Sequence, residues 1–271
     1  HCGRKFNPFK IQKSVNMFNK LFRQSLKPFS RVVHEKAYKE WLRLFDFFKD
    51  ENIKYPAVVK AMGYNWQLHH GPTFLNQFES IFVDQIYQFN CESKTPVIID
   101  CGANMGTSVL YFKWLFKDAS VYAFEPDKRI FEILNHNVSN NKLNNVHLTN
   151  KAVWIDDQDM FFNSNNAQSG KLIQDASSIK VECVRLKDFM QDFKQIDFLK
   201  LDIEGAELPV LQDISGELHR VKHMFIEYHS MINEPQKLSQ LLHILEKENF
   251  RYFIGGNQIK SPFTNQVVEE G

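Results

Sequence analysis

Cysteine is scarce in this chain, and the four present, Cys2, Cys91, Cys101 and Cys183, stand far apart. There is no CxxC pair and no Cys/His cluster, so neither a zinc module nor a disulfide scaffold is indicated. That usage predicts a reducing, cytoplasmic setting. Long apolar runs are missing as well: none reaches the roughly 18 residues that a bilayer span needs. No secretory apolar segment is visible. Net charge is nearly absent, with 33 Lys and Arg against 32 Asp and Glu. The balance itself names no partner, and no nucleic acid is expected. Two phosphate-binding signatures are lacking too. Gly106 is followed by Thr107 and Ser108 rather than Lys-Ser/Thr, and Gly102 is followed by Asn104 and Thr107 where a G-x-G-x-x-G would carry glycines.

What is plentiful is phenylalanine, 25 of 271 residues. The length predicts one large domain, or one domain with an appendage. Charge is unevenly spread: residues 1–50 hold 12 Lys and Arg against 4 acids, a balance of +8, which leaves −7 for the rest. This basic end reads either as the solvated face of a helical segment or as a contact for an anionic surface. Ile11, Val15, Phe18 and Phe22 recur at helical spacing, Pro28 breaks that helix, and Tyr38–Asp50 predicts a second one. A further helix is expected within Gly71–Asn90, where Phe78, Ile81, Phe82 and Ile86 stand at near-helical spacing. Residues 1–90 thus read as a mainly helical extension.

From Pro96 the pattern changes. Short β-rich runs, "PVIID", "VYAFE", "NVHLTNKAVW", "IDFLKLDIE" and "VKHMFIEYH", alternate with helical stretches, and "RYFIGG" reads as a further strand. "MFFN" and "KVECVRL" read as paired strands around a Ser- and Asn-rich loop. Alternation of this kind predicts an α/β fold, with a mostly parallel sheet and helices on both faces, over residues 91–271.

Ligands of such sheets bind at the carboxyl ends of the strands. There "VIIDCGANMGTS" ends a strand in Asp100 and turns through Gly102 and Gly106, with Thr107 as a candidate helix cap. An acid before the loop disfavours a pyrophosphate and favours a ligand carrying an ammonium. Glu125 closes the second strand, where a carboxylate can accept from both ribose hydroxyls. Together they describe a nucleoside joined to a cationic amino acid, S-adenosylmethionine. A second constellation follows: Asp202, Glu204 and Glu207 at the mouth of one strand, Glu227 and His229 at the end of the next. Asp202 or His229 reads as a general base with Glu227 orienting it or sharing charge. Glu207 reads equally as a helix N-terminal acid. Asp202 and Glu227 could also hold one hard cation such as Mg²⁺.

The pieces "VIIDCGANMGTSVLYF", "VYAFEPD", "NVHLTNKAVW", "IDFLKLDIEGAELPVL" and "FIEYHS" stand in the order of the FkbM family of S-adenosylmethionine-dependent methyltransferases, which this chain resembles from about Pro96 to Ser230. The resemblance implies a Rossmann-like, seven-stranded sheet with one antiparallel strand. It implies that Asp100, Gly102 and Gly106, with Asn104 and Thr107, line the methionine end of the cofactor. Glu125 and Pro126 would lie at the ribose and Ala152 near the adenine. It also implies O-methylation of a sugar, a glycan or a related natural product. The acceptor pocket is expected from the N-terminal part and the Ser164–Ser178 loop. Tyr64, Trp66 and Phe74 are its candidate stacking aromatics, with buried packing as the other reading. A lipid-linked glycan would bring the basic N-terminus to the inner face of a membrane. Two rivals remain at this point, an NAD-dependent oxidoreductase and a non-catalytic nucleoside-binding module.

Overall fold

A computed structural model describes residues 28–50, 52–163, 178–230 and 235–255. The helix expected over 11–23, nearly all of the Ser164–Ser178 loop and the chain from 256 onward lie outside these residues. The first element described is helix α1 (Pro28–Phe47). Pro28 starts it, because a first-turn residue needs no amide hydrogen and proline's φ already suits the helix.

An antiparallel hairpin follows, β1 (Ala57–Ala61) and β2 (Tyr64–Leu68). It is an addition to an extension expected to be mainly helical. Met62 (φ 52°) and Gly63 (φ 89°) form its two-residue loop, with the double positive φ that matches the twist of paired strands. Helix α2 (Gly71–Phe78) runs on into a wider π turn, Glu79–Val83.

The central sheet has five parallel strands among the described residues, in the order β11-β10-β3-β4-β5. They are β3 (Val97–Cys101), β4 (Ser120–Phe124), β5 (Val146–Thr149), β10 (Ile196–Leu201) and β11 (Val221–Ile226). Helix α3 (Thr107–Leu115) joins β3 to β4 and α4 (Lys128–Asn140) joins β4 to β5. The chain winds outward from β3 through β4 to β5, then returns to lay β10 on the other edge of β3. The topological switch therefore falls between β3 and β10, where open α/β sheets form their ligand crevice.

Among the described residues, fewer strands join this sheet than the seven expected. "NVHLTNKAVW" is broken at Asn150, whose side-chain amide donates to the carbonyls of Glu125 (2.8 Å) and Pro126 (3.1 Å). Beyond it β6 (Ala152–Trp154) leaves the sheet and pairs with β9 (Cys183–Arg185). The predicted pairing of "MFFN" is observed as β7 (Met160–Asn163) against β8 (Ser178–Val181). Arg251–Gly255 forms no strand: Phe253 is 93% exposed, with no ladder to hold it.

Each sheet face carries its own core, because side chains alternate along a strand. Ile98, Val121, Ala123 and Phe198 face the hairpin, α2, α3 and α4. Ile99, Cys101, Phe124, Leu199 and Leu201 face α5 (Leu186–Met190), α6 (Glu207–Asp213) and α7 (Leu238–Lys247). The first face explains the phenylalanines. Trp66 and Phe74 (5.2 Å between ring centroids), Phe78 and Phe82 (5.0 Å), and Phe82 and Tyr111 (5.1 Å) form a chain of rings from the hairpin to α3. Trp66 and Phe74 are fully buried in it, so the packing reading holds for both and neither is open to a sugar. Tyr64 is only partly buried but packs against the same core.

Candidate active site

β3 and β10 lie in register with Asp100 opposite Lys200. Lys200 is 2% exposed, inside a strand whose six residues are all buried. Its ammonium stands 3.3 Å from Asp100 Oδ1 and 3.1 Å from Asp202 Oδ2, and it donates to the Gly102 carbonyl at 2.8 Å. Burial alone would drive the ammonium toward neutrality; Asp100, Tyr87 and Asp202 outweigh it and hold its pKa above the ordinary value. The Ser108 hydroxyl donates to the other oxygen of Asp100 at 2.5 Å. Asp100 is thus fully buried and already matched with a cation of this chain. It stands behind the site wall and acts on the crevice through Lys200. Lys200 was legible as a lone cation in an apolar strand, two residues before Asp202 and so on the same face.

The glycine loop is pinned from both sides. Gly102 and Ala103 donate to the Phe124 carbonyl (3.0 and 2.9 Å), which holds the loop on the end of β4. A Cβ on Gly102 would lie 1.9 Å from the Asp202 carbonyl oxygen, and its φ is +86°. Only glycine allows the loop to pass this close to the end of β10. The helix cap of α3 is Gly106, without a side-chain hydrogen bond; Thr107 is instead the first helical residue, and its hydroxyl donates to Gln77 Oε1 at 2.8 Å.

Glu125 follows β4 and is 7% exposed. The amides of Asn104 and Asp127 each donate to one of its oxygens, both at 2.9 Å. Burial pushes its carboxyl up to about 7, against the pull of those amides. Each oxygen keeps a further lone pair, and the residue lines the cavity, as acceptance from a ribose diol requires.

The third group lies beyond β10 and β11. Glu207 opens α6 and is 1% exposed. It accepts from the amides of Ile203 and Gly205 (3.1 Å each) and from His229 Nδ1 at 2.9 Å. Burial would raise the Glu207 carboxyl; the His229 and Gly205 hydrogen bonds outweigh it and hold it low. A carboxylate so held only accepts, so Nδ1 carries the hydrogen. The same hydrogen bond raises His229 to about 9. The partner of His229 is therefore Glu207, not Glu227. Glu227 is raised by burial and then by the charge of Asp202. Asp202, Glu227 and His229 nonetheless converge, each with a donor atom within 4.8 Å of the others'.

These groups share one cavity of about 1110 Å³. Gly102, Asn104, Glu125, Pro126 and Ala152 line one end; Asp202, Glu227 and His229 line the other. Asp100, Gly106 and Thr107 support the wall from behind. The volume exceeds the roughly 300–1,000 Å³ of a pocket for one small ligand. Among the lining residues that no motif announced are Asn76 and Gln77 of α2, and Tyr87, which is only 3% exposed.

Residues 100–252 match the Methyltransferase FkbM domain. Methyltransferase 1 of Beauveria bassiana is 27% identical over 165 residues, 51% of this chain and 66% of that protein. The 2-O-methyltransferase NoeI of Sinorhizobium fredii is 26% identical over 159 residues, 51% of this chain and 65% of that protein. The chain thus spans about two thirds of the length of these relatives. A crystal structure of Methyltransferase FkbM from Methylobacillus flagellatus aligns with a TM-score of 0.44 and 20% identity, over 61% of this chain and 40% of that one. With more than half of its residues matched to the domain, this chain belongs to the FkbM methyltransferase family.

Proposed function

We propose that this protein transfers a methyl group from S-adenosylmethionine to a hydroxyl of a sugar, a glycan or a related natural product. One observation carries the reading. A single cavity joins a nucleoside-type end, built on Asn104, Glu125, Pro126 and Ala152, to a polar end where Asp202, Glu227 and His229 converge. The chain fits the cofactor by two features of its own: a cradle at Gly102 that any Cβ would fill, and an amide-braced carboxylate at Glu125 with lone pairs to spare. When bound there, S-adenosylmethionine supplies a methyl group already activated by its sulfonium.

The protein's part is alignment and proton handling. Lys200 and Gly102 fix the loop against β10, so the two ends of the cavity keep one distance. Asp202 and Glu227 present acceptor oxygens where the hydroxyl loses its proton. His229, tied to Glu207, orients the acceptor beside them. With that donor bound, the hydroxyl oxygen would take the methyl carbon as the carbon–sulfur bond breaks, leaving a neutral thioether, and Asp202 or Glu227 would take the hydroxyl proton.

The name of NoeI speaks of 2-O-methylation by that protein; it supports a hydroxyl acceptor here. The missing G-x-G-x-x-G and the family membership count against the NAD-dependent reading, and the converged polar end counts against a binding module without chemistry. Among the described residues no helix is long and apolar enough to cross a membrane. A lipid-linked glycan acceptor remains part of the proposal, met by the basic N-terminus at an anionic surface. The test is transfer from methyl-labelled S-adenosylmethionine into a panel of soluble sugars and extracted glycans. Label should enter a hydroxyl of one class and disappear in Asp202→Ala with cofactor binding kept. Label in no acceptor, or turnover unchanged in Asp202→Ala, would overturn it.

A further inference from the structure

We infer that Asp202, Glu227 and His229 form a binding site for one divalent metal ion, and that the ion anchors an acceptor offering two neighbouring oxygens. The inference rests on the proposed methyl transfer for its second half and on geometry alone for its first. Two carboxylates and an imidazole come within 4.8 Å of one another, from the ends of two adjacent parallel strands. Two carboxylates with one imidazole suit a divalent transition ion such as Mn²⁺ better than Mg²⁺, which takes oxygen ligands, and a third donor from His229 goes beyond what two acids could hold.

An observation outside the three ligands supports the same reading. Glu207 accepts the Nδ1 hydrogen of His229 at 2.9 Å, and two backbone amides grip Glu207 in turn. That leaves Nε2, 3.7 Å from Glu204 Oε2, as the ring atom turned toward an ion. Buried carboxylate, histidine and metal in line is the usual way a protein fixes a ligating imidazole. Glu207 is 1% exposed, a deep burial for an acid whose role would be only to cap a short helix. Lys200 occupies Asp202 Oδ2, so Oδ1 is the oxygen left for an ion.

Charge points the same way. Asp202, Glu204 and Glu227 line this cavity and Glu207 stands behind them, with Lys200, beside Asp202, already shared with Asp100, and Lys151 and Lys237 elsewhere in the lining. A divalent ion offsets that excess. Three protein ligands leave open positions, and a vicinal diol, or a hydroxyl beside a carbonyl, fills two of them. Binding to the ion weakens the hydroxyl's hold on its proton. The proton then passes to the carboxylate oxygen left off the ion as the methyl arrives.

The test uses the full chain and Mn²⁺ as probe, read by electron paramagnetic resonance and by calorimetry, with S-adenosylhomocysteine binding as the control for fold and cofactor site. Wild type should hold one Mn²⁺ per chain and keep it against equimolar Mg²⁺. Glu227→Gln and His229→Ala should each bind at least tenfold more weakly. Glu207→Gln, which removes only the brace, should weaken binding by about 10–100-fold. All three should keep S-adenosylhomocysteine. No specific Mn²⁺ in wild type, or equal binding in Glu227→Gln and His229→Ala, overturns the metal site and leaves the methyl-transfer reading standing. Failure of S-adenosylhomocysteine to bind wild type, with Mn²⁺ held, sinks the cofactor reading instead.

Discussion

At the scale of single residues, the site depends on a few positions whose chemistry allows no neighbour. Gly102 is one: alanine would place a methyl group inside contact distance of the Asp202 carbonyl and force an L residue into positive φ. Gly102→Ala should lower affinity for S-adenosylhomocysteine by at least about tenfold, roughly 1.4 kcal/mol, measured by calorimetry. Lys200 is another. It neutralises Asp100 and Asp202 at once, and its loss leaves a fully buried carboxylate unmatched. Lys200→Met should cost about 3–5 kcal/mol of stability in denaturant unfolding.

Glu125 carries a pH dependence with a definite sign. Its folded pKa, about 7, lies above the ordinary 4.5, so the fold disfavours the ionised form. The resulting stability penalty is absent below pH 4.5, grows between 4.5 and 7, and is complete above 7. Cofactor binding runs the other way, because only the carboxylate accepts from both ribose hydroxyls while keeping the Asn104 and Asp127 amides. S-adenosylhomocysteine affinity should fall as pH drops through about 7, and Glu125→Gln should flatten that profile at a weaker level.

At the scale of elements, the hairpin and the glycine loop are coupled through helix α4. Asn137 is fully buried; its oxygen accepts from the Gln67 amide at 2.7 Å, and its nitrogen donates to the carbonyls of Gln67 (3.0 Å) and Met105 (2.9 Å). Asn141 repeats the pattern one turn later on Asn65. The helix therefore offers two amide side chains where a neighbouring strand would offer backbone. Asn137→Leu should cost about 1–3 kcal/mol for each polar group left unpaired, and amide hydrogen exchange at Gln67 should rise before global unfolding. None of this was legible from local pattern, because it depends on a side chain meeting backbone 70 residues away in sequence. The hairpin was missed for a related reason: Met62-Gly63 is an unusual two-residue loop, and β1 and β2 are five residues each. The parallel strands were legible because burial on both faces makes their sequences continuous apolar runs, ended by the acids that form the site. Asp202, Glu227 and His229 could be named from those strand ends. Which acid braces His229 could not, since Glu207 reaches it across a helix start.

At the scale of the whole molecule, the cavity is closed by parts of the chain that the family domain does not include. Asn76, Gln77 and Tyr87 precede residue 100, yet they line the crevice, and Ala37 and Leu44 of α1 are fully buried in the same core. A truncation that tests the basic end should therefore stop before α1. Residues 1–27 contain seven Lys and Arg and no acid. Their removal should reduce retention on anionic vesicles, measured by co-sedimentation at low salt, and leave turnover on a soluble acceptor unchanged.

The central claim is that the carboxyl ends of β3 and β4 hold S-adenosylmethionine through Gly102 and Glu125. Its most direct test is a calorimetric titration of the full chain with S-adenosylhomocysteine, beside NAD as a control and Glu125→Ala as a variant. The account predicts one site per chain for S-adenosylhomocysteine, strong weakening in Glu125→Ala, and no heat from NAD. Binding of NAD in its place, or equal affinity in Glu125→Ala, would contradict it.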